Sequence, residues 1–457
     1  MGAVLAFATA RWGVRLRTAR GLERARRRGI RRLLRRMPRA ARHAGAPRSL
    51  ADVPIVDKAA VLADFAAWNV HGVELATALA AAREAEHTRD FSGLLPGGLT
   101  VGLSSGTSGR PGVFLVDRRE RLAWAGTVLG RLLDRASLAQ LLRPWRPPVR
   151  IAFCLRANST LYESVASRRL AFGFVDLVAP FAEVLEQVAA ARPHVLVAPS
   201  SVLAELAAAQ RAGALAISPR TVVAVAEVLS DEDVALAEAA WGVRPRRVYQ
   251  ATEGLLALDC AHGRLHLNEP GVLVEREWLD AGHRRFVPIV TDLERRTQLV
   301  VRYRLDDVLR AAPDDASPCP CGDPAAVIEA VEGRADEVVE AVGAAGGIVR
   351  VFPDTLRRAM ALALGDADAA GPGGVEWGIR WAPDRLVVAL SRTGDAAVDE
   401  AVETAVRRRL AELAAAVGAR PPVVAVAAWA PPAPGEKLVR IRREATAAVP
   451  SGRTVDA

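Results

Sequence analysis

The sequence predicts an α/β protein, with a large N-terminal domain of mixed and parallel sheets under covering helices and a small C-terminal α+β domain. Three patterns carry this. Short apolar runs at Val149 to Leu155, Val175 to Val178, Val195 to Ala198 and Val222 to Val225 alternate with helix-like stretches at Val202 to Arg211 and Asp231 to Trp241, the signature of parallel strands with crossover helices. From Asn268 to Arg310 the chain turns antiparallel in character, with many arginines and Pro288. Beyond Arg334 come a strand pair, Trp377 to Trp381 and Leu386 to Leu390, a helix over Val398 to Val417 and a strand over Val423 to Trp429. The expected divisions are a basic helical segment at 1–50, a large domain at 51–333 and a small mobile domain at 334–457. The glycines from Gly343 to Gly347 read as a flexible linker.

Taken in order, the first segment is the basic one. Residues 1–50 hold fifteen arginines and one glutamate, a balance of +14, while the rest of the 457-residue chain sums to −5. Arginine pairs between Arg24 and Arg42, with Leu33, Leu34 and Met37 interleaved, predict an amphipathic helix with a cationic solvated face. No aromatics are interleaved for base stacking, so nucleic acid is not an expected partner. Apolar Met1 to Ala10 lacks a basic stretch ahead of it and is followed by arginines, the wrong order for a secretory signal. With no apolar run long enough to span a bilayer, the expected location is the cytoplasm. Pro54-Ile55-Val56-Asp57-Lys58 then predicts a turn and a helix start, with Lys58 in a structural role.

Ser104-Ser105-Gly106-Thr107-Ser108-Gly109-Arg110-Pro111 contains hydroxyls and glycines but no bulky apolar side chain. Hydroxyls donate hydrogen bonds, and glycines let backbone N–H groups turn inward, so the segment is suited to wrapping a polyphosphate. Val101-Gly102-Leu103 enters it and Val113-Phe114-Leu115-Val116 leaves it, both strand-like, which makes a hairpin rather than the strand-to-helix setting of a GxxxxGK[ST] loop. Downstream stand Tyr249-Gln250-Ala251-Thr252-Glu253-Gly254, a strand end with one carboxylate, and Arg302-Tyr303-Arg304-Leu305-Asp306-Asp307. The latter follows Val300-Val301, and a half-buried strand there sends its charges to one face and its aromatic to the other. Glu332-Gly333-Arg334-Ala335-Asp336-Glu337 is the last of the set.

In this order and spacing the four motifs resemble the adenylate-forming superfamily of acyl-CoA synthetases, peptide-synthetase adenylation domains and luciferases. The closer resemblance is to the branch of phenylacetate-CoA ligase and the deazaflavin-coenzyme synthetases, and to a clade of adenylate-forming enzymes with "SSGTSG", "YQATEG", "HLNEP" and "CPCG" segments. It spans roughly residues 50 to 345. The resemblance implies ATP and Mg²⁺: Ser104, Ser105, Gly106, Thr107, Ser108 and Gly109 around the β- and γ-phosphates, Thr252 at the α-phosphate and Glu253 on Mg²⁺. Tyr249, Gln250 and Ala251 would border the nucleotide, Asp307 would take both ribose hydroxyls, and Arg334 would reach the ribose, with Asp336 as the hinge. Glu227, in Val225-Ala226-Glu227-Val228-Leu229, matches a glycine-glycine-glutamate segment less well. Arg110 stands where many relatives carry lysine and can still contact phosphate.

Only Lys58 and Lys437 are lysines, against 59 arginines. A lysine that persists under such a bias points to a place where a compact ammonium serves and a planar guanidinium does not. Lys437, in Gly435-Glu436-Lys437-Leu438-Val439-Arg440, matches the superfamily's mobile "GKxxR" lysine, which implies a charge-stabilising role at the reacting carboxylate.

Of four cysteines, Cys154 in an apolar strand reads as buried filler. Cys260, Cys319 and Cys321, with a histidine from Cys260-Ala261-His262-Gly263-Arg264-Leu265-His266, form a Cys₃His set suited to structural Zn²⁺. His266 is the expected nitrogen donor and His262 the alternative; ordinary free thiols are the competing reading.

The expected activity is ATP-dependent ligation of an acid, a small aromatic or secondary-metabolite carboxylate, through its AMP anhydride with pyrophosphate release. The first expected acceptor is the CoA thiol. The alternatives are an arylamine acceptor for ATP-activated nitrite, AMP transfer to a phenolic hydroxyl, and a non-catalytic nucleotide-binding protein. Phe114, Trp124, Arg156, Asn158 and Tyr162 are candidates for the wall of the acid pocket.

Overall fold

The computed structural model describes residues 2–13, 16, 18–37, 47–88, 90–103, 112–155, 166–313, 318–367, 369, 375–382, 384–431 and 439–444. It has two compact units, one covering Met1–Val331 and the other containing Glu332–Ala433. Among the described residues no helix is long and apolar enough to cross a membrane.

The first unit opens with α1 (Ala3–Trp12) and α2 (Ala19–Arg36). Thr18 caps α2 by accepting the Gly21 N–H at 3.1 Å, and the apolar face of α2 buries Leu33 and, just past its end, Met37 against Leu293, Val300 and Tyr303. The helices α3 (Lys58–Ala63) and α4 (Leu75–Thr88) lead to the antiparallel hairpin β1 (Thr100–Leu103) and β2 (Val113–Val116), with Leu103 opposite Val113. Asp57 caps α3 by accepting the Ala60 N–H at 2.8 Å, so Lys58 is the first helical residue. Next come α5 (Arg118–Leu132) and α6 (Arg135–Leu142). The chain of α1 lies so close to α5 that a Cβ at Gly126 would fall 2.2 Å from the Ala3 carbonyl oxygen.

A twelve-stranded sheet holds the rest of this unit together. Its parallel half is β3 (Val149–Leu155), β4 (Leu170–Asp176), β5 (Val195–Pro199), β6 (Thr221–Val225) and β7 (Arg246–Ala251), in the order β4-β3-β5-β6-β7. Helices α7 (Phe181–Ala191), α8 (Ser200–Arg211) and α9 (Asp231–Trp241) connect these strands. Cys154 is fully buried among them, and burial pushes its thiol up to about 12.

At β8 (Gly254–Asp259) the sheet becomes antiparallel. It continues through β9 (Leu265–Leu267), β10 (Val272–Trp278), β11 (Arg285–Asp292), β12 (Tyr303–Arg304), β13 (Asp307–Ala311) and β14 (Val327–Arg334). The expected division of faces at Arg302-Tyr303-Arg304 is present. Arg302 and Arg304 pair with Glu275 and Glu277 of β10 at 2.9 and 2.7 Å, while Tyr303 turns into the core.

In the second unit β15 (Val339–Val342) and β16 (Ile348–Val351) form a hairpin. The glycines read as a linker are its turn: the Gly343 N–H donates to Gly347, and Gly346 and Gly347 both have positive φ, which glycine adopts without steric cost. Helix α10 (Pro353–Asp366) and α11 (Ala396–Ala416) pack on a four-stranded sheet. Its strands are β17 (Trp377–Ala382), β18 (Arg385–Leu390), β19 (Val423–Ala428) and β20 (Ile441–Arg443), in the order β19-β18-β17-β20.

Candidate functional site

The β7–β8 turn carries Thr252 and Glu253. It is tight because Gly254 follows with φ +157°, where a Cβ would sit 2.8 Å from Asp292 Oδ2. Burial is the main influence on the Glu253 carboxyl and holds it above the ordinary glutamate range. Hydrogen bonds from Thr252 and Tyr303 act the other way, and the Asp307 charge adds to the rise. The Tyr303 phenol is itself raised, by burial first and then by Glu253. A half-buried, desolvated carboxylate close to the charge of a second one is a poor place for unbalanced charge, so this donor set suits a hard cation with oxygen ligands.

Asp307 begins β13, and its Oδ2 accepts the Tyr249 hydroxyl from the end of β7 at 2.5 Å. The structure thus brings Thr252, Glu253 and Asp307 together. Gln250 is exposed on the same strand and Ala251 is half-buried.

Glu253 and Thr252 line a small cavity whose other walls include Lys58, Phe114, Gln298 and Tyr303. Lys58, the first residue of α3, thus lines the same cavity as Glu253 as well as starting the helix. Phe114 contributes from β2. Trp124 instead packs from α5 into the core against the parallel strands.

A segment after β11 braces this cavity, and sequence reasoning did not find it. Arg295, 9% exposed, donates to the Thr252 carbonyl and, at 3.2 Å, to the Leu115 carbonyl. Gln298 takes the Leu115 N–H at 2.8 Å and donates to the Val113 carbonyl at 3.2 Å, standing in for a neighbouring strand along β2. The Thr297 N–H donates to Glu120 at 3.0 Å, and its hydroxyl, with one proton to share, lies 2.9 Å from the Leu115 carbonyl and 2.5 Å from Glu120. Asp292, pushed up to about 6 by burial despite the nearby Arg295 charge, accepts the Arg295 N–H at 2.9 Å. One short stretch thus fixes both the Thr252 turn and the strand leaving the hydroxyl-rich loop.

Within the first unit, Glu227 lies apart from this cavity. Glu227 accepts the Ser201 N–H at 2.9 Å and lines a different cavity, of about 160 Å³, past the ends of the parallel strands. In the second unit the Arg334 N–H donates to Glu337 at 3.4 Å, and the Arg357 guanidinium bridges the Glu332 carbonyl and the Glu337 carboxylate, both at 2.6 Å. Ser104 to Pro111, Arg156, Asn158, Tyr162, Lys437 and the Asp336 side chain lie outside the described residues.

The Cys₃His set does converge. The ligand atoms of Cys260, His266, Cys319 and Cys321 all lie within 4.8 Å of one another. Cys260 Sγ is 3.6 Å from Cys319 Sγ, and Cys321 Sγ is 3.4 Å from His266 Nε2. Tetrahedral Zn²⁺ with ordinary bond lengths gives S···S and S···N edges of about 3.8 and about 3.6 Å. The buried His266 ring places Nδ1 3.0 Å from the Ala325 carbonyl, which orients Nε2 toward the thiols. His262 is not among the converging ligand atoms, and its backbone N–H lies 3.4 Å from Cys260 Sγ.

No protein-family model and no curated protein matches the chain. Among solved structures, 2-hydroxyisobutyryl-CoA ligase in the postadenylation state with R3-HIB-AMP is similar at a TM-score of 0.59 and 17% identity, over 93% of this chain and 89% of that one. The same ligase with 2-HIB-AMP gives 0.57 and 18%, over 93% and 88%. A structure of the fatty acyl-adenylate ligases from E. coli and L. pneumophila gives 0.52 and 12%, over 74% and 68%. The chain has the fold of the adenylate-forming ligases.

Proposed function

We propose that this protein is an ATP-dependent adenylate-forming ligase, which joins a small acid to AMP, releases pyrophosphate and passes the acyl group to a second nucleophile, the CoA thiol. The observation that best supports this is the meeting of Thr252, Glu253, Tyr303 and Asp307 beside the Lys58 cavity, in a fold shared with a CoA ligase that holds an acyl adenylate.

In this reading Glu253 would hold Mg²⁺, which would supply positive charge beside the phosphates. Lys58 and the Ser104–Arg110 loop offer cations and donors to the phosphates. Asp307, held by Tyr249, accepts the ribose hydroxyls, a task for an acceptor-only carboxylate. Thr252 stands at the α-phosphate, Arg334 reaches the ribose and Lys437 supplies the ammonium for charge that develops at the carboxylate. The work of the chain is mostly positioning and charge neutralisation. Structural Zn²⁺ on Cys260, His266, Cys319 and Cys321 would tie the end of β8 to the 319–321 turn ahead of β14.

The test is pyrophosphate release from ATP and Mg²⁺ across a panel of small aromatic and aliphatic acids, with product masses read with and without CoA. Acid-dependent release and a CoA thioester support the proposal. No release with any acid, alongside undetectable ATP binding, removes it.

A further inference from the structure

Helix α2 carries a charge pattern that the ligase reading does not use. At 100° per residue Arg20, Arg24, Arg27, Arg31 and Arg35 fall within roughly 80° of arc and form a ridge roughly 22 Å long, with Arg28 and Arg32 on its flank. All seven are exposed. Among the described residues Glu23 pairs with Arg27 at 2.7 Å and with Arg26 at 3.5 Å, Glu269 takes Arg26 at 3.2 Å, and the Glu294 carboxylate feels the Arg32 charge on the flank. Even in its pair, the Arg27 side chain stays 71% exposed. Like charges spaced four apart destabilise a helix, so the ridge is held in place by the buried opposite face, Leu22, Leu33 and the adjoining Met37.

We propose that the arginine face of α2 is a docking ridge for an anionic lipid surface. A straight row of guanidiniums on one side of a helix fits a flat, extended field of negative headgroups. Each basic residue near such a surface adds to the attraction, which falls off with salt. The ridge has no aromatic side chain to stack on bases, which disfavours single-stranded nucleic acid. The preceding helix instead offers apolar groups of the kind that enter a bilayer interface: on α1, Val4 is 83%, Leu5 56% and Trp12 48% exposed. Trp12 ends α1 six residues before the α2 cap Thr18. Because the apolar face of α2 is already buried in the protein, α2 does not insert. It rests on the surface by charge, which makes the contact reversible.

The experiment uses the full chain in vesicle cosedimentation, with phosphatidylcholine alone and with added phosphatidylserine. At low salt the protein is expected to sediment with the anionic vesicles and stay in solution with the neutral ones, and to be released at high salt. A variant carrying Arg24→Gln, Arg28→Gln, Arg31→Gln and Arg35→Gln keeps good helix formers and should bind at least about tenfold more weakly, with an unchanged circular dichroism spectrum. A folded Arg24→Gln, Arg31→Gln double variant with an intermediate loss serves if the quadruple variant does not fold. Any of three results overturns the proposal: no wild-type binding to anionic vesicles at low salt, equal binding by the folded variants, or release of the protein from the vesicles by an equal charge of duplex DNA.

Discussion

The Tyr249 hydroxyl donates to Asp307 Oδ2 at 2.5 Å, joining the end of β7 to the first residue of β13 across 58 positions of sequence. A carboxylate held this way presents its other oxygen in a fixed direction. Tyr249→Phe should therefore raise the KM for ATP by roughly tenfold, the value of one hydrogen bond to a charged group, and leave kcat nearly unchanged. Steady-state kinetics of pyrophosphate release would show this, and an unchanged KM would detach Asp307 from nucleotide binding.

Glu253 should give pyrophosphate release an acidic limb. Its carboxyl is held above the ordinary value of 4.5, chiefly by burial, and only the ionised form binds a cation. Activity at fixed Mg²⁺ should fall as pH drops through that raised value, and the limb should move to lower pH as Mg²⁺ is increased. Glu253→Gln should abolish most release.

The same burial sets an opposite trend in stability. The folded carboxyl holds its proton more tightly than the unfolded one, so the penalty is absent below pH 4.5 and complete above the raised value. At neutral pH without metal, Glu253→Gln should melt at or above the wild-type Tm, and a clearly lower Tm would contradict the burial argument.

Zinc should be present at about one equivalent in purified protein. Cys319→Ser should lose it and lower the Tm, and a strong chelator should do the same to the wild type. Metal-free protein with a Cys319→Ser variant of equal Tm would leave Cys260, His266, Cys319 and Cys321 as a cluster of thiols and imidazole without a metal role.

The two lysines should separate by kinetic parameter. Lys437→Ala should lower kcat by on the order of 10² with ATP binding kept, and Lys437→Arg should recover little. Lys58→Ala should mainly raise the KM for ATP, because Lys58 lines the Glu253 cavity. A silent Lys58→Ala would return that residue to the role of helix start.

Local pattern made much of this protein legible. Strand β3 and helix α9 have the limits that their apolar runs and flanking residues indicate, and the Cys₃His set showed in spacing alone. What stayed hidden was of two kinds. Gly343 to Gly347 suit a linker or a hairpin turn equally, and pairing between β15 and β16 decides which. Arg295 and Gln298 look like surface residues in an arginine-rich stretch, because their partners are backbone groups of β2 and the Thr252 turn, which have no residue-type signature. Lys58 was half legible: its helix start showed, but its place among the residues lining the Glu253 cavity did not.

Gln298 also bears on the order in which the chain becomes sealed. Its amide closes the edge of β2 from 183 and 185 positions away, whereas β1 lies just before the loop. During synthesis the β1–β2 hairpin can emerge and pair long before residue 298 exists, leaving the Leu115 N–H and the Val113 carbonyl as an open strand edge. Contacts of such long range form late and slow folding. A nascent or truncated chain ending before Gln298 should therefore be prone to sticking edge to edge, and the brace that readies the cavity should also be what makes the finished hairpin unreactive toward its neighbours.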